Sequence, residues 1–341
     1  MSRLSYLLAA IIVLACANVC MADGNTEERD VTVFNKRDGI CLAGTLSYPA
    51  SGKPRAAIVL ASGSGQQDRD ETIMGHRPFR TIAEGLSSKG YAVLRMDDRG
   101  IGGSGGDFSE STTDDFVTDI SAAVCYLDSC LGGSVPVGVL GHSEGGTVAV
   151  KTAVTNGLCR FIVTLAGPAW SGDSIIMSQA RAIATAMTGR WDNEASQRRL
   201  LDIVKSDMPG YMANAQLALE IGREYGEGAT IPQVKEQIGN AAALMTSPWY
   251  RAMVRYNPEE DIRRVAVPWL ALNGSKDLQV LPGNLETIRV LNPKATTVEL
   301  EGHNHMFQKC VTGLMQEYAT LQGDISDETI DAIVSWLDRL D

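Results

Sequence analysis

Short apolar runs that alternate with longer helical stretches constrain the fold more than any other feature of this sequence. Two of the runs, 56–61 and 135–141, are almost continuously apolar, as parallel strands buried on both faces usually are. Stretches with helical spacing that follow such strands cover the faces of the sheet. The pattern predicts an α/β fold with a mostly parallel central sheet flanked by helices.

The same alternation predicts where the individual elements lie. The predicted strands are Val31–Asn35, Ile40–Ser47, Ala56–Ala61, Ala92–Met96, Val135–Gly141, Phe161–Leu165, Trp269–Asn273 and Thr297–Glu301. The predicted helices are Phe79–Lys89, Asp114–Leu127, Gly145–Thr155, Leu281–Leu291 and Thr329–Leu340. Ser326 and Glu328 mark the start of the last helix, since Ser is a preferred N-cap residue.

Residues 169–256 interrupt the alternation and predict an inserted helical segment. They contain no convincing strand, and apolar residues from Ile176 to Met187 follow helical spacing. Methionine is frequent here and usually fills irregular cores; the residues are Met177, Met187, Met208, Met212, Met245 and Met253. Because the segment separates two sheet strands, we expect a lid over the ligand-binding end of the sheet. Residues 23–168 and 257–341 would then form the core domain.

The first 22 residues predict export of the protein. Arg3 precedes an apolar run, Leu7–Ala17, that is short for a membrane span and ends in small residues. This is typical of a signal peptide, with cleavage after Ala22 as one possibility. Lipidation of Cys16 is an alternative because residues 13–16 resemble a lipobox, and a retained anchor is a third. We expect a periplasmic or secreted protein, with no stable membrane span unless Cys16 is lipidated.

Charge and cysteine content limit the partners and the covalent cross-links. The net charge of -11 disfavours nucleic acid and anionic membranes, which need clustered Lys and Arg. Cys16 and Cys20 fall within the predicted signal segment, which leaves five cysteines of seven. Since five is odd, at least one is expected to be free or paired elsewhere. Cys125 and Cys130 are a candidate pair closing a small loop.

The segment from Gly141 to Gly145 carries the pattern G-x-S-x-G. In a nucleophile elbow, a serine with this spacing sits on a strained turn between a strand and a helix. The pattern alone is weak, but here an apolar strand, VPVGVLG, precedes it and an apolar helix start, GGTVAVKTAV, follows it. The context predicts that Ser143 is a nucleophile. His142, beside it, is expected to have a structural role.

A nucleophilic serine needs a histidine base, and the base needs a carboxylate that orients it. In this type of fold the partners follow in the order Ser, Asp or Glu, His. Asp277 lies in the turn after the predicted strand 269–273, and both His303 and His305 follow the last predicted strand. The order and position predict Asp277 as the carboxylate, and the spacing leaves either histidine possible as the base.

Backbone N–H groups must also stabilise the oxyanion that forms during acyl transfer. We expect one from Glu144, directly after the nucleophile, and one from Ser64 in the glycine-rich loop after strand 56–61. Gln66 and His76, in the same connection, are candidates for shaping the substrate site, as is Trp249 in the inserted segment. Residues 97–104 are glycine-rich but lack phosphate-loop spacing, which favours a structural turn.

Several longer motifs are similar to bacterial α/β-hydrolases of the serine aminopeptidase-like and dienelactone-hydrolase-like type, particularly short-chain carboxylesterases. The resemblance extends from about Arg29 to the C-terminus; its motifs are GSGQQDRDETIMGHRPF, DDRGIGGS, GHSEGG, SPWYRAMVRYNPEEDIRRV, ALNGSKDLQV, NHMFQ and EYATLQGDIS. It implies that His305 is the base and Asp277 the carboxylate. Ser62 stands where many members have His, and His303 is an additional histidine.

The resemblance implies a serine hydrolase that cleaves small carboxylic esters through an acyl-enzyme, without a metal or an organic cofactor. The expected partner is a small-molecule ester. A peptidase or aminopeptidase acting on short peptides is the nearest alternative, because triad geometry does not distinguish amides from esters. A thioesterase is another. A binding protein without catalysis is disfavoured, since Ser, Asp and His are all present in order.

Overall fold

A central sheet organises the protein in the computed structural model, which describes residues 20–21 and 26–340. The strands found there are β1 (Cys20–Met21), β2 (Thr26–Asn35), β3 (Ile40–Pro49), β4 (Ala57–Ala61), β5 (Ala92–Met96), β6 (Val137–His142), β7 (Cys159–Leu165), β8 (Trp269–Gly274) and β9 (Thr296–Leu300). Their order across the sheet is β1-β2-β3-β5-β4-β6-β7-β8-β9. The predicted strands are all present, with shifted ends, and the predicted fold class is confirmed.

Strands β4 to β9 are parallel, and β1 to β3 extend the sheet with antiparallel pairings. The register aligns the carboxyl ends of the parallel strands. Ala61 pairs with Gly141, His142 with Leu165, and Gly274 with Leu300. The loops after β4, β6, β8 and β9 therefore meet at one edge of the sheet, where ligands bind in such folds.

Helices cover both faces of the sheet. They are α1 (Pro78–Ser88), α2 (Thr113–Cys130), α3 (Glu144–Thr155), α4 (Gly172–Thr188), α5 (Glu194–Lys205), α6 (Gly210–Tyr225), α7 (Pro232–Thr246), α8 (Pro248–Arg255), α9 (Glu259–Arg264), α10 (Gly283–Leu291), α11 (Met315–Tyr318) and α12 (Asp327–Leu337). Apolar side chains of α2, α3, α9 and α10 pack on one face, and those of α1 and α12 pack on the other. Burial of these apolar surfaces is the main source of stability.

Ser326 is the N-cap of α12, as its position in the sequence predicts. Its Oγ accepts the backbone N–H of Thr329 at 3.2 Å. Such a cap satisfies one of the N–H groups that the first helical turn leaves without a partner.

Residues 169–256 are helical, as predicted, and contain α4 to α8 with a 3-10 turn at Gly226–Thr230. This segment, called the helical insertion below, has a small apolar core of its own that includes Leu200, Val204 and Leu217. Met177, Met208, Met245 and Met253 pack against that core, while Met187 and Met212 are exposed. Most of its methionines therefore fill space between helices, as methionine usually does.

The pairing of Cys125 with Cys130 is wrong. Both residues are free and lie on α2, five positions apart. Five residues of an α-helix rotate a side chain by about 140° from its starting direction, so the two thiols point to different sides.

The predicted signal peptide, residues 1–22, lies outside the described residues apart from the backbone of 20–21. Among the helices described, none is long and apolar enough to cross a membrane.

Candidate active site

The chain turns sharply at Ser143, between β6 and α3. Ser143 has φ 52° and ψ -120°, a conformation that residues with side chains rarely adopt. Its N–H donates to the carbonyl oxygen of Leu165 on β7 at 2.8 Å. The sheet thus holds the turn in place and leaves the half-buried Ser143 side chain at the edge where the loops meet.

The glycines on either side of Ser143 are required by close backbone packing. A Cβ on Gly141 would overlap the carbonyl oxygen of Gly145, and a Cβ on Gly145 would overlap the carbonyl oxygen of Ala61 on β4. Side chains at either position would force the strand, the turn and the helix apart. The strand–turn–helix context predicted for Ser143 is present, and these contacts explain its glycine spacing.

Asp277 and His305 form a buried pair. Nδ1 of His305 lies 2.8 Å from Oδ2 of Asp277, and both side chains are buried. The other carboxylate oxygen, Oδ1, accepts the backbone N–H of Gln279 at 2.8 Å and of Val280 at 3.0 Å. Because the carboxylate accepts a hydrogen bond from Nδ1–H, the lone pair of neutral His305 is placed on Nε2, the nitrogen a general base would use.

His303 has different neighbours. Its Nδ1 lies 3.0 Å from the carbonyl oxygen of Glu301, and its Nε2 lies 2.8 Å from Oγ of Ser326. The side chain is wholly buried against the start of α12. Both ring nitrogens are occupied by structural partners, so the geometry favours His305 over His303 as the base.

The loops that carry Ser143 and His305 are in contact, although no hydrogen bond joins the Ser143 hydroxyl to a histidine ring within the described residues. The contact is made by His142, whose Nε2 lies 3.0 Å from the carbonyl oxygen of His305, with ring centroids 4.8 Å apart. Catalytic hydrogen bonds are often long without substrate. The bond between Ser143 and His305 therefore stays a prediction, whereas the Asp277–His305 bond is present.

His142 and Glu71 connect three loops of the site. Nδ1 of His142 lies 2.9 Å from Oε1 of Glu71, and that oxygen also accepts the N–H of Gly63 at 2.6 Å. Burial disfavours the charged form of His142, but the Glu71 carboxylate and the His305 carbonyl outweigh it, so the pKa of His142 is raised. An imidazolium can donate from both nitrogens, which matches these two acceptors. His142 has the structural role expected of it.

Ser64 and Glu144 supply the candidate oxyanion donors. Among the described residues, neither backbone N–H donates to a protein acceptor, whereas the N–H of Gly63 is taken by Glu71. A Cβ on Gly63 would lie 3.3 Å from the Cβ of Ser143, so this loop passes directly beside the serine. The arrangement is compatible with two N–H donors close to the Ser143 hydroxyl.

Carboxylates after β5 hold the loop that carries Ser64. Asp98 accepts the Ser62 hydroxyl at 2.6 Å and the Gln67 N–H at 3.0 Å, at either end of that loop. Asp97 binds both the backbone N–H and the guanidinium of Arg69. Burial raises the pKa of Asp98 to about 8. The glycine-rich stretch from Asp97 is thus a structural turn, as predicted, and it fixes the neighbouring loop.

Ser143, Ser64, Glu144 and Trp249 line one cavity of about 230 Å³ between the sheet edge and the helical insertion. The indole N–H of Trp249 on α8 contacts both carboxylate oxygens of Glu144, at 2.9 Å each. Trp249 therefore lies where a substrate-shaping residue should, and the insertion forms one wall of the cavity.

The other two shaping candidates lie elsewhere. Gln66 is exposed, and neither it nor His76 lines the cavity. Nδ1 of His76 lies 3.2 Å from Oδ1 of Asp324, and its Nε2 lies 2.9 Å from the carbonyl oxygen of Tyr318. His76 therefore fastens its loop to the segment before α12, which is a structural use of the side chain.

Four side chains of the site were not anticipated from the sequence: Glu71, Asp98, Thr113 and the carboxylate of Glu144. Each acts through a partner far along the chain; Thr113 donates to Glu144, 31 positions later, at 2.6 Å. Acidic and hydroxyl residues in loops usually form turns. The sequence around these residues therefore does not indicate that they bind partners far along the chain.

Comparison with known proteins agrees with the observed fold. Residues 52–213 match the family described as serine aminopeptidase, S33. The esterase EstD of Thermotoga maritima is 25% identical over 91% of this chain and 67% of its own length. A Pyrococcus furiosus esterase has a similar structure, with a TM-score of 0.57, 15% identity, and coverage of 92% of this chain and 91% of its own. A Thermogutta terrifontis esterase has a TM-score of 0.51, 17% identity, and coverage of 91% and 98%.

The sheet topology and the similar solved structures show that the chain has the α/β-hydrolase fold. Its matches to an esterase and to the serine aminopeptidase family agree with the resemblance carried by its sequence motifs.

Proposed function

We propose that the protein is a serine hydrolase that cleaves small carboxylic esters, with Ser143 as nucleophile, His305 as base and Asp277 as orienting carboxylate. The observation that carries the proposal is the buried Asp277–His305 pair, whose Nδ1 and Oδ2 atoms are 2.8 Å apart. It lies on the loops after β8 and β9, at the same sheet edge as the strained Ser143 turn. Order, burial and backbone geometry all agree with the roles assigned from the sequence.

In the proposed reaction, Nε2 of neutral His305 takes the Ser143 proton as Oγ attacks the ester carbonyl carbon. The N–H groups of Ser64 and Glu144 stabilise the resulting oxyanion. The C–O bond to the alcohol then breaks, and His305 returns its proton to the departing alkoxide. Water attacks the acyl-enzyme with His305 again as base, which releases the carboxylic acid and restores the Ser143 hydroxyl. Every proton and leaving group is handled by these residues.

The size of the cavity supports small substrates. Its volume of about 230 Å³ is below the range of roughly 300–1,000 Å³ found for drug-sized ligands. We propose that the helical insertion acts as a lid whose Trp249 and Tyr250 shape this space. Export remains a proposal as well, and it rests on the sequence of the first 22 residues.

Peptide hydrolysis is the second candidate function, because the matching family is described as serine aminopeptidase. The same triad cleaves amides and esters. A thioesterase would use the same acyl-enzyme. A protein that only binds its ligand would not need Ser143, His305 and Asp277 at one edge of the sheet.

One comparison tests the proposal. Purified protein is assayed with p-nitrophenyl esters of increasing acyl length and with aminoacyl p-nitroanilides. We expect hydrolysis of the short esters, much slower cleavage of the anilides, and a loss on the order of 10⁴-fold or more in Ser143→Ala. Faster cleavage of the anilides would favour the peptidase, and wild-type turnover by folded Ser143→Ala would contradict the mechanism.

A further inference from the structure

The cavity beside Ser143 contains an acidic side chain and no basic one. Among the described residues that line it, Glu144 is the only Asp, Glu, Lys, Arg or His. The rest of the lining is apolar or neutral and includes Trp170, Ile176 and Tyr250. In such surroundings a single carboxylate dominates the electrostatic potential felt by a bound substrate.

The contacts of Glu144 suit an ionised carboxylate. The Thr113 hydroxyl lies 2.6 Å from Oε1, and the Trp249 indole nitrogen lies 2.9 Å from both Oε1 and Oε2. An indole N–H can only donate. A proton on either oxygen would therefore weaken the shared contact with Trp249. Burial raises the pKa of Glu144, and the hydrogen bonds from Thr113, Trp249 and Ser64 oppose that rise by stabilising the charge.

No basic side chain neutralises this charge. Within the described chain, Glu144 forms no ion pair with Lys, Arg or His, although the protein has many ion pairs elsewhere, such as Arg99 with Asp119 at 2.7 Å. Its hydrogen-bond partners Thr113, Trp249 and Ser64 are all neutral. The negative charge therefore remains directed into the cavity, one residue from the nucleophile.

We infer that Glu144 selects substrates by charge, so that the site takes neutral or cationic esters and rejects esters with a carboxylate close to the scissile bond. This inference rests on the proposed function. It assigns the Glu144 side chain a specificity role that is separate from the role of its backbone N–H. Like charges about 6 Å apart in a protein-like medium change a binding constant on the order of 100-fold, and partial access of water reduces the effect to about tenfold or more.

The test compares charged and uncharged esters of similar shape. On the acyl side, p-nitrophenyl hemiglutarate is compared with p-nitrophenyl hexanoate; on the alcohol side, acetylcholine is compared with neohexyl acetate. The quantity measured is the ratio of kcat/KM for the charged ester to that for the neutral ester. A ratio taken within one variant cancels any general change in its activity.

Two variants separate charge from shape. Glu144→Gln removes the charge but keeps an oxygen that can accept the Trp249 N–H. Trp249→Phe removes that N–H but keeps an aromatic ring and the charge. In Glu144→Gln we expect the ratio for hemiglutarate to rise, or that for acetylcholine to fall, by about tenfold or more. In Trp249→Phe we expect both ratios to stay within about threefold of wild type.

The outcomes distinguish a failure of charge selection by Glu144 from a failure of the proposed esterase function. If wild type hydrolyses the neutral esters but Glu144→Gln has unchanged ratios in both series, the charge selection is wrong and the proposed function stands. Equal changes in Trp249→Phe and Glu144→Gln would assign the selection to the shape of the wall and overturn the inference. If wild type hydrolyses neither neutral ester, the proposed function itself fails and the inference fails with it.

Discussion

Two histidines separated by one residue have different hydrogen-bond partners, and this difference underlies the assignment of the base. His305 pairs with the buried carboxylate of Asp277, whereas His303 pairs with Ser326 and with a backbone carbonyl. The sequence spacing permits either histidine. The choice depends on which side chain faces the loop after β8, and only the folded chain specifies that direction.

Replacing each histidine separately tests this assignment. We expect His305→Ala to reduce kcat/KM for a short p-nitrophenyl ester on the order of 10⁴-fold or more. Ser143, His305 and Asp277 would act as a unit, so removing one of them abolishes nearly all of the rate acceleration that they provide jointly. We expect His303→Ala to lose about tenfold or less, since its contacts are structural. Circular dichroism and thermal unfolding check that both variants fold. An inactive His303 variant beside an active His305 variant would show that the base is assigned wrongly.

Among the elements, the strands and core helices were predictable and the contacts of the insertion were not. Continuous apolar runs such as Ala57–Ala61 report burial directly, because a strand covered on both faces has no polar side to show. The contact between Trp249 and Glu144 joins positions 105 residues apart. Local periodicity holds no information about such a pair, so the sequence could suggest a lid but not which carboxylate meets it.

The position of α8, which carries Trp249, depends on Arg251. Its guanidinium donates to backbone carbonyls at the end of α5 and just after it, with distances of 3.2 Å to Val204, 2.5 Å to Ser206 and 3.2 Å to Met208. Carbonyls at a helix C-terminus have no partner within the helix. Arg251 therefore fastens the wall of the cavity to the rest of the insertion.

We expect Arg251→Met to lower the free energy of unfolding by about 2 kcal/mol, because the substitution leaves the carbonyls of Val204 and Met208 without this donor. Hydrogen exchange should become faster in α8, and urea unfolding measures the stability change. Arg263→Met is the control, since Arg263 makes only an exposed pair with Glu259 one helical turn away, which should matter by less than about 0.5 kcal/mol. Equal stability of the two variants would mean that Arg251 does not hold α8.

For the whole molecule, stability responds to pH through buried groups, and Asp98 is the principal carboxyl to consider. Burial raises its pKa from an ordinary 3.8 to about 8. Between these values the unfolded chain has released the Asp98 proton and the folded protein retains it, so the free energy of unfolding decreases as pH rises. The contribution is fully present below pH 3.8 and is lost as pH rises through about 8.

Asp98→Asn removes this ionisation and keeps an oxygen for the Gln67 N–H. We expect the decrease in stability between pH 5 and pH 8 to be smaller in the variant, on the order of 2 kcal/mol, since partial exposure of Asp98 reduces the full effect. Urea unfolding at several pH values measures it. Asp207→Asn, at a fully exposed position, should follow wild type. The same pH slope in Asp98→Asn and wild type would contradict the account.

At the scale of the whole chain, the order of motifs predicted the fold and the triad candidates because they follow strand ends, which topology brings together. It did not predict Glu71 or Asp98, which fix the loop that carries Ser64 by side-chain contacts across the sheet edge. Nor did spacing reveal that Cys125 and Cys130 point apart on α2. Local pattern predicts elements and their order, whereas contacts between loops depend on the packed structure.

Labelling with a fluorophosphonate tests the central claim, that Ser143 is a nucleophile activated by His305, without knowledge of the natural substrate. The modified protein is digested and the labelled peptide is sequenced by mass spectrometry. We predict a single adduct on Ser143, its absence in Ser143→Ala, and labelling slowed at least about 100-fold in His305→Ala. Labelling of a different serine, or wild-type labelling of the folded Ser143→Ala variant, would contradict the account.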